Sequence, residues 1–137
     1  MTGDALRDIL RVARTIAVVG LSPTPTRPSH GVAGYLGDAG YRIVPVNPGH
    51  STILGEKSYP TLTAAAADHT IDIVDVFRRS EFVGAIVDEA IALQSPPRLI
   101  WLQLGLVDDA ARARAQAAGM PCVMDRCLMV EHRALGV

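Results

Sequence analysis

The chain has 137 residues, of which 49% are apolar, only 4% aromatic and 20% charged, and its formal net charge is −1. That length fits one domain with a core large enough to stand without metals or disulfides. A near-neutral balance excludes nucleic-acid or anionic-membrane binding through bulk charge, so any anion site must be local.

Lys57 is the only lysine among the basic residues, and all the others are arginine, a side chain suited to fork-shaped contacts with phosphate and carboxylate. No apolar run is long enough for a membrane span, and Met1 to Arg14 has the pattern of a polar-faced helix rather than a signal peptide. A cytoplasmic protein is the expectation, with Cys122 and Cys127 as reduced thiols. Their spacing alone supplies no four-ligand zinc site, and no metal site is expected.

In chain order, Leu6, Ile9, Leu10 and Ala13 at helical spacing predict a short first helix over Asp4 to Ala13, leading into a strand from Ile16 to Gly20. A loop of hydroxyls, prolines and one arginine, Leu21 to Ser29, precedes a second helix faced by Val32, Tyr35, Leu36 and Ala39 and stopped by Gly40. Tyr41 to Val46 is the next strand, and Asn47-Pro48-Gly49 a turn. The stretch Leu54 to Pro60 reads as an irregular connection with one short strand, and Thr63 as the cap of a brief helix to Asp68. Ile71 to Phe77 is a buried strand, and Ser80 caps a helix carrying Val83, Ile86, Val87, Ala90, Ile91 and Leu93. Leu99 to Leu104, a helix from Asp108 to Ala118 closed by Gly119, a short strand Pro121 to Met124 and a terminal helix after Asp125 complete the chain. Strands alternating with helices in this order predict a single-domain, doubly wound, three-layer α/β fold with a mostly parallel sheet.

Parallel strands place their carboxyl ends on one edge, where the residues just past them become neighbours whatever their separation in sequence. Ser22 and Arg27, Asn47 and Pro48, Phe77 with Arg78 and Arg79, Gln103 and Gly105, and Arg126 with Cys127 all occupy such positions. Arginines from distant segments meeting there make a polyphosphate site, and Ser29 capping the second helix stands beside any phosphate bound at its N-terminus. Arg79 and Arg126 equally fit a purely structural role, paired with acids such as Asp75, Glu81 or Asp125. Arg27 has no acid in its loop. His30 opens a helix and is within reach of phosphate, whereas His50, His69 and His132 read as surface or turn residues.

The first loop is not the dinucleotide fingerprint, since G-x-G-x-x-G read from Gly20 finds Ser22 and Pro25 in place of glycine. The second strand ends on neutral Asn47, where an NAD-binding domain places a carboxylate for the ribose hydroxyls. Both departures favour a ligand whose ribose is phosphorylated.

The strings IAVVGLSPTPTRPSHGVAGYL, YRIVPVNPG, LGEKSYPTL, DIVDVFRRSE, IWLQLGLV and VMDRCLMVEH, in this order, resemble the small stand-alone coenzyme A-binding proteins, themselves similar to the N-terminal domain of the succinyl-CoA synthetase α subunit. The resemblance covers about residues 14–133 of a domain spanning residues 1–137. It implies a Rossmann-like fold that holds the ADP part of coenzyme A. On the matching positions it places Gly20, Ser22, Arg27, Pro28 and Ser29 near phosphate, Val46, Asn47 and Pro48 near adenosine, and Phe77 and Arg78 across the crevice, with Gln103 farther along the edge. Leu128-Met129 stands where relatives commonly carry Pro-Lys after the DRC triplet, which removes that lysine as a contact.

No nucleophile is paired with a base, so the chain reads as a non-enzymatic module: a carrier, a sensor or a ligase-related subunit, with coenzyme A as ligand and any protein partner unidentified. A nicotinamide-dependent oxidoreductase, and a redox or regulatory interaction protein with a vestigial pocket, are the alternatives. Cys127 bears on the last: it stands at a helix start beside Arg126, a placement that favours a reactive thiol, although the commoner role of a free cysteine is that of a small buried hydrophobe. Cys122, inside a strand, reads as structural.

Overall fold

The computed structural model describes Met1 to Val137. Helix α1 (Gly3–Val12), capped by the Thr2 hydroxyl accepting from the Ala5 amide at 3.1 Å, leads into β1 (Thr15–Val19), every residue of which is buried. Helix α2 (Pro28–Asp38) starts with proline at its first turn, where the missing N–H costs nothing. It stops at Gly40, whose φ of +108° suits glycine. Then follow β2 (Arg42–Val46), β3 (Thr52–Ile53), β4 (Glu56–Lys57) and α3 (Leu62–Asp68). The remaining elements are β5 (Ile73–Val76), α4 (Ser80–Ile91), β6 (Leu99–Leu102), α5 (Asp109–Ala117), β7 (Cys122–Val123) and α6 (Leu128–Leu135).

Strands β2-β1-β5-β6-β7 form one sheet in that order, with every neighbouring pair parallel, while β3 and β4 make a separate antiparallel hairpin. Side chains alternate across the sheet. Ile16, Val18, Ile73 and Trp101 pack with Leu6, Leu10, Val32, Leu36 and Leu128 of α1, α2 and α6. Ala17, Val19, Val74 and Val76 pack on the opposite face with Leu62, Val83, Val87 and Ala111 of α3, α4 and α5. This is the doubly wound, three-layer, Rossmann-like arrangement. The chain leaves β1 towards β2 on one side and returns to β5 on the other, so the order reverses between β1 and β5, and the crevice for ligands opens at their carboxyl ends.

Several local expectations move. The connection after β2 holds two short strands rather than one. Thr61, not Thr63, caps α3, and its hydroxyl accepts from the Ala64 amide at 3.1 Å; Thr63 is turned to Glu89, with its Oγ1 donating at 2.6 Å. Arg79 rather than Ser80 is the residue before α4, and it makes no side-chain cap. His132 is not a surface residue: it is 6% exposed, edge-on to Tyr35 and Tyr41, with Nδ1 2.8 Å from the Tyr35 hydroxyl.

Candidate functional site

The crevice is built around Gly20. Its φ is +89°, and a Cβ there would lie 2.7 Å from the Phe77 carbonyl oxygen and 2.9 Å from Arg78 Cδ, so only glycine lets the end of β1 meet the end of β5. The Gly20 amide donates to the Val46 carbonyl at 2.9 Å, and the Phe77 amide to the Val19 carbonyl at 2.8 Å, which ties three strand ends into one rim.

The loop after Gly20 is folded by its own hydroxyls. The Ser22 amide donates to Ser29 Oγ at 3.0 Å and the Thr24 amide to Ser22 Oγ at 3.1 Å, which carries the chain back to α2 and buries Ser29 under it. Asn47 braces the loop from β2: its Nδ2 donates to the Leu21 carbonyl at 3.0 Å while its Oδ1 accepts from the Gly49 amide at 2.9 Å. Both polar ends of Asn47 are therefore engaged by backbone.

Between the loop and Phe77 lies a cavity of about 380 Å³, lined by Gly20, Ser22, Arg27, Pro28, Ser29 and Phe77. It sits at the N-terminus of α2, where backbone amides and the helix dipole favour an anion. A second cavity of about 370 Å³ shares Pro28 and Phe77 with the first and continues along the edge to Arg78, Gln103, Leu106 and Cys127. The edge thus offers a polar compartment and a largely apolar one, joined over Phe77. A larger cavity of about 430 Å³ lies away from this edge, between α2, the start of β2 and the β3–β4 hairpin. Asp38 and Glu56 line it with a single arginine, Arg42, which suits no polyanion.

The arginines divide sharply. Arg79 pairs with Glu81 at 3.3 Å, and Arg126 with Glu131 while lying over the Trp101 ring. Arg27 and Arg78 have no acidic partner; Arg78 rests on the Phe82 ring, 4.4 Å from its centroid, and Arg27 is exposed at the mouth of the polar cavity. Two unspent guanidinium groups beside a helix N-terminus are what a phosphate-bearing ligand requires.

Of the residues singled out from sequence, Gly20, Ser22, Arg27, Pro28, Ser29 and Phe77 converge on the polar cavity, and Arg78 and Gln103 on the apolar one. Val46 and Pro48 reach the same edge without lining either cavity: Val46 is buried in the core under α3 and α4, and Pro48 lies on the exposed turn. Sequence reading missed Val32, Leu104 and Leu106 as cavity wall, because an apolar residue on a helix face or after a strand looks like core. It also misjudged Asp75, which pairs with no arginine. Asp75 is fully buried on β5, its Oδ1 accepting from Gln103 Nε2 at 2.7 Å and its Oδ2 without any partner, and burial pushes its carboxyl up to about 7.

Cys127 is half buried, at the cap position of α6 and in the wall of the apolar cavity. Cys122 is buried in β7, and desolvation pushes its thiol up to about 11.

Residues 14–133 match the model of a family described as a CoA binding domain. The chain is 41% identical over 127 residues to the uncharacterized protein YneT of Bacillus subtilis strain 168, covering 93% of this chain and 91% of that one. Among solved structures it is similar to a hypothetical protein from Pyrococcus horikoshii OT3, with a TM-score of 0.92 and 34% identity over 100% of this chain and 94% of the other. It is also similar to the cell-free ID.343 protein from Thermus thermophilus, with a TM-score of 0.87 and 40% identity over 98% and 99% of the two chains.

Proposed function

Because the chain belongs to the CoA binding domain family, we infer that it binds coenzyme A through the ADP part at the carboxyl edge of the sheet, as a non-catalytic carrier, sensor or ligase-related module. The observation that carries this reading is the pair of joined cavities: a polar one with Arg27 and the α2 N-terminus, and an apolar one beyond Phe77. A ligand with phosphates at one end and an uncharged, flexible arm at the other matches that division. The residues fit the group. Arg27 holds phosphate in the polar cavity and Arg78, whose stem packs beside Gly20, holds it from the join of the two cavities; Gly20 and Ser29 let backbone approach it, and the arm runs over Phe77 towards Gln103 and Cys127.

The non-catalytic part of the reading rests on the side chains around the crevice. No histidine is among the residues lining either cavity, and the thiol of Cys127 has no base hydrogen-bonded to it. Asn47, occupied with Leu21 and Gly49, supplies no carboxylate for the ribose of NAD.

Titration calorimetry with coenzyme A, dephospho-coenzyme A and NAD tests the reading. Coenzyme A is expected to bind tightest, dephospho-coenzyme A more weakly for want of one phosphate, and NAD weakest. NAD binding as tightly as coenzyme A overturns it.

A further inference from the structure

Gln103 stands where β6 ends, 5% exposed, in the wall of the apolar cavity. Its Nε2 is committed to Asp75 Oδ1 at 2.7 Å, while its carboxamide oxygen makes no hydrogen bond within the protein. Behind it, Asp75 is wholly enclosed between the neighbouring strand positions Val18 and Trp101, with Oδ2 unpartnered. A buried carboxyl with one neutral amide for company, placed directly behind a cavity wall, has no evident structural use.

We propose that Gln103 is a specificity-determining residue that reads the thiol end of a coenzyme A arm in the apolar cavity, and that Asp75 behind it sets whether the carboxamide offers that end an acceptor or a donor. This rests on the function proposed above.

The reasoning is a matter of hydrogen-bond sense. An ionised carboxylate only accepts, so it draws the NH2 of Gln103 and leaves the amide oxygen for the cavity. A protonated carboxyl can donate to that oxygen, which turns the amide over and presents its NH2 to the cavity. Burial holds Asp75 near the point where both forms are populated at neutral pH. Free coenzyme A ends in a thiol, which can donate to the amide oxygen, whereas an acyl thioester ends in a carbonyl that only accepts. Ionised Asp75 therefore favours the free thiol and neutral Asp75 the acyl form.

The other charged and titratable groups on the surrounding elements do not contribute to the shift of Asp75, whose causes are burial and the bond from Gln103. Arg78 lies on Phe82, Arg79 pairs with Glu81 and Arg126 with Glu131. Asp72, at the other end of β5, accepts from the Arg14 and Thr15 amides, and His132 of α6 bonds Tyr35. His30 of α2 and Cys127 at the start of α6 remain, and an effect that came from either would survive in the Asp75 variant.

The test measures the affinities of coenzyme A and acetyl-coenzyme A at pH 6 and pH 8 by calorimetry and follows their ratio, in which the phosphates common to both ligands cancel. Preference for acetyl-coenzyme A over coenzyme A is expected to fall about 3- to 10-fold from pH 6 to pH 8, the size of one net hydrogen bond gained or lost. Asp75→Asn, which cannot ionise, and Gln103→Leu, which keeps the cavity apolar, are each expected to flatten the ratio. Both ligands binding with a pH-independent ratio overturns this inference and leaves the proposed function standing. A shift that survives in Asp75→Asn also overturns it, because another group is then responsible. If neither ligand binds, the proposed function fails and the inference with it.

Discussion

Replacing Asp75 with asparagine is expected to stabilise the protein at pH 8 and to leave it almost unchanged near pH 4. The cause is the burial of a carboxyl that has one hydrogen bond and no cation. An aspartate in the unfolded chain titrates near 3.8, and burial raises Asp75 to about 7 in the fold. Below pH 4 both states are protonated and the residue carries no ionisation penalty. As pH rises from about 4 towards about 7 the unfolded chain releases a proton that the native protein keeps, so stability falls across that window and stays level above it. Roughly three pH units at about 1.36 kcal/mol each set a ceiling of about 4 kcal/mol on the loss at pH 8.

Asparagine keeps the shape of the side chain and still accepts from Gln103 through its oxygen, while its NH2 takes the position of the unpartnered Oδ2. The neutral polar group left without a partner is thus much the same in both proteins, and the difference between them is the charge. An increase of about 2–4 kcal/mol at pH 8 follows, closing to within about 1 kcal/mol near pH 4. Urea unfolding reads this directly. Trp101 is the single tryptophan and fully buried, so its fluorescence reports the transition, with far-UV circular dichroism as the second probe. For a urea slope of about 2 kcal/mol per molar, the midpoint at pH 8 moves up by about 1–2 M. A variant no more stable than its parent at pH 8, or a difference that fails to close towards pH 4, would refute the argument.

Arg27→Ala is expected to weaken coenzyme A binding by about 1.5–3 kcal/mol, the scale of a hydrogen bond to a charged group, with little change in melting temperature because Arg27 is exposed and makes no ion pair. Early melting with normal binding would show it to be structural. Arg78→Ala should lose binding on the same scale, with a further small loss of stability from its contact with Phe82, visible by comparing calorimetry with thermal melts. Cys127 is expected to form a mixed disulfide when the protein is incubated with coenzyme A disulfide: its thiolate attacks one sulfur and coenzyme A leaves as the thiolate. Intact mass then rises in the parent and not in Cys127→Ser, while an adduct that persists in the variant would move the reaction to buried Cys122.

The strand order and layers were legible because strands buried on both faces leave apolar runs, unbroken in β6 and in β1 after Thr15 and interrupted in β5 only by Asp75. Their ends were less so: Ile71 and Phe77 are apolar but lie outside β5, although the Phe77 amide still bonds Val19, so the run overstates β5 at both ends. The β3–β4 hairpin was half seen because its turn, Leu54-Gly55, takes positive φ at both residues, 54° and 73°. That geometry normally announces itself as Asn-Gly, and leucine hides it. Caps were misplaced by one or two residues wherever two hydroxyl or polar candidates stood together, as at Thr61 and Thr63. The polar cavity was readable because Gly20, Arg27 and Ser29 are local to one loop. Asp75 was not, since an acid in a buried run looks like an arginine partner until the structure shows it facing a glutamine.

What separates a binding edge from a merely polar one is which charges the fold leaves unspent. Arg79 and Arg126 stand on loops at the same edge as Arg27 and Arg78, yet each has a glutamate on its own following helix, Glu81 and Glu131, which neutralises it at short range. Arg27 follows five residues of proline, serine and threonine, and α2 carries no acid in its first turn. Arg78 is turned instead onto an aromatic face, which orients the guanidinium without cancelling its charge. The uncancelled cations therefore lie where α2 presents its N-terminus, and the one acid buried at this edge, Asp75, sits behind the apolar cavity rather than the polar one. A carboxylate in the polar cavity would repel any anion drawn there. Placed beyond Phe77 and kept partly neutral by burial, it leaves the polar end of the crevice positive and stands bonded to Gln103 behind the other end.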